Sequence, residues 1–146
     1  MKKTLLFIAL TVMTFATNSC SKDNSSDIVN GSITMKVDGV YKTFTKIHLQ
    51  QTKSPDGNDT SLAIYTEDDG NDYGDVIAMT IMKGVYSDLA PLNYWIDEEK
   101  YDRTTGFVMH ITSNGNDKKL VGTFSGDVSN SSVNLTITEG TFNIQY

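Results

Sequence analysis

The sequence predicts an all-β domain over residues 31–146: one antiparallel sandwich or small closed barrel of about eight or nine strands. Three observations carry this. Apolar residues recur with a period of two, turn residues break that pattern roughly every eight to twelve positions, and no segment holds a convincing helical period.

The first hairpin is the clearest element. Ile33, Met35 and Val37 alternate with Thr34 and Lys36, Asp38-Gly39 supplies a two-residue turn suited to type I′, and Val40 to Thr45 returns. Ile47 and Leu49 then alternate with His48 and Gln50 before a Ser54-Pro55-Asp56-Gly57 turn and a strand from Ser61 to Thr66. Val76 to Met82 is apolar on both faces apart from Thr80, which predicts a central strand covered on both sides. Gly106 to Thr112 and Leu120 to Val128 flank the hairpin signal Asn114-Gly115-Asn116-Asp117. Gly122 and Gly126, two steps either side of Phe124, point to a bend or to close approach of a facing ring. Val133, Leu135 and Ile137 form the next alternation, and Glu139-Gly140 is expected to turn into a last strand carrying Phe142 and Ile144 inward.

Ahead of this domain stand a basic Met1-Lys2-Lys3, an apolar run from Leu5 to Ala16 and the small polar residues Thr17, Asn18 and Ser19 before Cys20. The run is too short to cross a bilayer and reads as a secretory leader. The arrangement resembles bacterial lipoprotein signals, which implies cleavage after residue 19 and acylation, palmitate included, of Cys20 as the new N-terminus. Residues 20–30 are then the lipidated cysteine and a flexible tether, because Ser21 to Asp27 lacks large apolar side chains. This stretch is similar to the Ser/Asp-rich segment of surface-displayed lipoproteins of the Bacteroidota, which implies an outer-membrane location and display at the cell surface. The ending, Gly122-Thr123-Phe124 followed by Val133 to Ile144, and the opening hairpin from Met35 to Phe44 resemble a family of small Bacteroidota lipoproteins known only as domains of unknown function. That resemblance implies an all-β fold and a location, and it brings no activity.

Charge and composition narrow the function classes. The chain carries 12 basic and 18 acidic residues, and the leader takes two of the lysines, so the mature net charge is near −8. Nucleic acid and anionic lipid headgroups are therefore poor partners. One cysteine excludes an internal disulfide and a thiolate metal site.

Chemistry-bearing motifs are few. His48 and His110 lie far apart on strands, and there is no nucleophile elbow, His-Glu-x-x-His helix or phosphate loop. Asp97, Glu98 and Glu99 lie near Trp95 and Tyr101 but read more simply as a solvated loop or acidic helical turn than as a glycosidase pair. The run from Glu67 to Asp75 offers oxygen ligands for Ca²⁺, with Asp68, Asp69, Asn71, Asp72 and Asp75 as candidates, against the simpler reading of a solvated hairpin tip. It does not match an EF-hand, since Tyr73 would fall at a ligand position and Thr80 where the bidentate glutamate belongs. Asp56, Asn58 and Asp59 would join this site if the two loops were neighbours.

Tyr94, Trp95 and Tyr101 form the candidate ligand-binding group, because exposed rings beside acids and amides suit sugar recognition. A lone tryptophan is also a common core anchor. Alternation places Tyr94 and Trp95 on opposite faces of any extended segment, so one of them points outward. The sequence as a whole predicts no enzyme and no obligatory cofactor. It predicts a lipid-anchored envelope module that binds a glycan, a peptide or a partner protein, the alternative being a structural or inhibitory envelope protein with no small-molecule site.

Overall fold

The computed structural model describes residues 26–67, 74–86 and 90–146; the leader and Cys20 lie outside them. Ten strands, all paired antiparallel, and no helix occur among these residues. In chain order they are β1 (Asp27–Val37), β2 (Val40–Phe44), β3 (Ile47–Lys53), β4 (Thr60–Thr66) and β5 (Val76–Met82), then β6 (Leu92–Ile96), β7 (Glu99–Arg103), β8 (Val108–Asn114), β9 (Lys119–Ser129) and β10 (Asn134–Gln145).

The ladder closes on itself. β1 pairs along one edge with β10, and along the other with β2 through its C-terminal half and β3 through its N-terminal half. β9 likewise pairs with β10 on one edge and with β8 and then β7 on the other. β2 with β3, and β7 with β8, are thus single runs of chain broken at Thr45–Lys46 and at residues 104–107. The ring then has eight staves, each joined to the next in sequence, with β10 closing onto β1: an up-and-down barrel.

Alternation fills the barrel. Ile33, Met35, Ile47, Leu62, Ile64, Ile77, Ile81, Leu92, Met109, Leu120, Ile137 and Ile144 point inward and are essentially inaccessible. Phe107, Phe124 and Phe142 stack in series with centroids 6.2 and 6.3 Å apart. Gly122 pairs directly with Phe142, whose ring folds over it, so the close approach expected from the sequence is present.

Two expectations are corrected. Glu139-Gly140 does not turn. β10 continues through it, with a bulge that places Glu139 at φ 51° while Lys36 and Tyr41 hold its carboxylate (2.6 and 2.8 Å). The acidic run 97–99 is the solvated turn that the sequence allowed and not the helical one: Ile96 pairs with Glu99 and closes a β6–β7 hairpin on the exposed Asp97-Glu98. Finally, β5 is not covered on both sides. Its inward residues are buried, but Val76 and Ala78 stay half-buried and Met82 is exposed, since a barrel wall has only one packed face.

Candidate functional site

The uncovered side of β5 forms the floor of an open groove. Val76 pairs with Trp95 and Ala78 with Asn93, so these outward side chains are neighbours across β5 and β6. Tyr94 points inward and is fully buried, which by alternation turns Trp95 outward, where it remains half-buried. The groove, about 670 Å³, is lined by Gly74, Val76, Ala78, Trp95, Asp97 and Glu98. Its volume falls within the range of small-ligand sites. A ring forms one wall, small aliphatic side chains the floor, and two carboxylates one end.

Those carboxylates sit on a tight turn. Asp97 and Glu98 have φ of 49° and 70°, the pair of positive values that a type I′ hairpin requires. A glutamate pays for the left-handed conformation, which glycine adopts freely. Glu98→Gly is therefore expected to stabilise the protein by about 0.5–1 kcal/mol. A urea midpoint that fails to rise would show that the hairpin is not of this type.

The predicted aromatic trio is divided by the barrel wall, and only Trp95 faces outward. Tyr94 and Tyr101 belong to the interior, Tyr101 with its hydroxyl 3.5 Å from the Glu99 carboxylate. Tyr94 donates to Asp75 Oδ2 at 2.9 Å, and Lys42, turned inward from β2, reaches the same oxygen at 2.7 Å. Burial, followed by the Asp75 charge, pushes the Tyr94 hydroxyl well above the ordinary tyrosine range. Asp75 is itself buried, and its Oδ1 has no hydrogen-bond partner among the described residues.

Of the candidate Ca²⁺ ligands, Asp68, Asp69, Asn71 and Asp72 lie outside the described residues, and Asp75 is engaged by Lys42 and Tyr94. No group of three acidic, histidine or cysteine ligands occurs among the described residues. The second acidic turn does not join this loop: Asp56 sits on the β3–β4 connection, at the opposite end of the up-and-down ring from the β4–β5 connection. There the Ser54 hydroxyl, with Asn58, holds the Asp56 carboxyl below its ordinary range.

The two histidines occupy different walls. His110 borders a smaller depression of about 280 Å³ with Thr123, Ser125 and Glu139. His48 meets a carboxylate: its Nε2 lies 2.6 Å from Glu67 Oε1, its Nδ1 lies 3.4 Å from Ser26 Oγ, and its ring stacks on Tyr65. Sequence reasoning missed this cluster because its members come from β3, from β4 and the residue after it, and from the residue before β1, far apart in sequence. It also missed the groove floor, whose available signal was the pair of modest apolar residues, Val76 and Ala78, on the second face of β5.

No protein-family model, curated protein or solved structure matches this chain.

Proposed function

We propose that this protein is a non-catalytic, lipid-anchored envelope module that binds a glycan in the groove beside Trp95. The placement of Trp95 carries the reading. The single tryptophan lies on the outer wall beside Val76 and Ala78, and not in the core with Tyr94. A half-exposed indole over a small aliphatic floor offers the apolar surface on which a pyranose face stacks, and carboxylates at one end accept hydrogen bonds from hydroxyls. The acidic mature chain argues for a neutral ligand. The leader and Cys20 support the anchor, which two or more acyl chains would make stable.

Tryptophan fluorescence of a soluble form beginning at Ser21 tests the reading directly, since all indole emission comes from Trp95. Titration with a panel of neutral glycans is expected to give a saturable shift, absent in Trp95→Ala, whose fold is checked by circular dichroism. A signal unmoved by every sugar would remove the support for a glycan site and leave the structural or inhibitory role.

A further inference from the structure

We infer that the ligand is an extended neutral saccharide chain that runs across the strands from Trp95 to a second aromatic platform, Tyr65; this rests on the groove reading above.

Tyr65 lies on the outer face of β4, directly paired with Ala78 of the groove floor. Its ring stacks on His48 with centroids 4.9 Å apart and planes within 4°. Its hydroxyl donates to Ser26 Oγ at the head of β1. β3 lies between β4 and β1, so a bond from Tyr65 to Ser26 must cross β3. The ring therefore lies along the wall, its inner face on His48, and the residue remains 36% exposed. His48 is fixed in turn by Glu67 at 2.6 Å.

An exposed tyrosine ordinarily samples several rotamers, and ordering it on binding opposes affinity. Here the stack and the hydroxyl bond set the orientation beforehand, as a binding platform requires. Tyr65 and Trp95 stand two strands apart and two residues offset, which separates their Cα atoms by about 12 Å. Between them lie Ala78 and Val76, too small to obstruct. That separation exceeds one sugar ring, so touching both platforms takes several linked sugars. Asp97 and Glu98 at the Trp95 end repel uronate or sulfated chains.

The test uses α- and β-linked glucan oligomers of one to six residues, titrated by calorimetry and by Trp95 emission. In the wild type, affinity is expected to rise about ten-fold from the disaccharide to the longest oligomer. Tyr65→Ala should keep the disaccharide affinity and lose the gain with length, while Tyr65→Phe, which retains the ring, should keep most of that gain. Wild-type affinity independent of length, or a gain that survives in Tyr65→Ala, overturns the extended site and leaves the Trp95 site standing. Failure of every oligomer to bind overturns both.

Discussion

Replacing Gly122 with alanine is expected to destabilise the barrel by about 3 kcal/mol, the upper part of the range for overpacked cores. A Cβ at this position would overlap the Phe142 ring on one side and approach the His110 carbonyl oxygen to 2.5 Å on the other. The ring could swing away only by disturbing its stack with Phe124, and the carbonyl is backbone of β8, where Ile111 pairs with Gly122. Neither neighbour can yield without breaking either the stack or the β8–β9 ladder. Equilibrium denaturation should show the midpoint falling at constant slope, with a thermal midpoint roughly 10 °C lower. Gly115→Ala is the control, because the nearest atom to its added methyl is Asp117 Oδ1 at 3.8 Å, and it should stay within about 0.5 kcal/mol of wild type. Equal stability of the two variants would show that Phe142 does not cover Gly122.

Lys42→Met is expected to destabilise by about 2–3 kcal/mol. Removing one partner of a buried pair typically costs about 3–5 kcal/mol, and the figure is reduced here because the lysine side chain remains 34% exposed. The methionine fills similar space, so the loss is electrostatic: among the described residues, Asp75 would keep only the Tyr94 hydroxyl. Adding Asp75→Asn should recover most of the loss, since a neutral amide oxygen still accepts from Tyr94 and leaves no unpaired charge. Urea denaturation of the two single variants and the double variant gives the coupling. Additive effects would mean that the ion pair contributes nothing.

How far these sites could be read from the sequence depends on which contacts are local. Asp38-Gly39 announced the β1–β2 hairpin because both residues take positive φ, 47° and 83°, and those residue types favour it. Gly122 announced a covering ring but not which one, since Phe142 arrives from the next strand. β6 and β7 were hidden for the opposite reason. β7 is Glu-Lys-Tyr-Asp-Arg, with a single inward apolar side chain, and its turn uses two acids where asparagine and glycine are usual. Sandwich and barrel were indistinguishable by pattern because both alternate inward and outward residues. The closure of β10 onto β1 and the breaks in β2–β3 and β7–β8, which decide between them, are long-range pairings. The same limit applied to the groove. Alternation required either Tyr94 or Trp95 to face outward, and only the register with Val76 and the burial of Tyr94 identify which.

The up-and-down course of the strands also gives the molecule a polarity. Ser26 enters at one rim, whereas Asp38-Gly39, Asp97-Glu98 and the β9–β10 connection sit at the other, roughly 25 Å away for tilted strands of this length. From Cys20 to Ser26 the chain can reach at most about 20 Å. If Cys20 is acylated as proposed, the entry rim would be kept against the lipid headgroups like the foot of a post. The acidic tip of the Trp95 groove then stands clear of the bilayer, so a polymer too large to approach the membrane could still be captured by its free end.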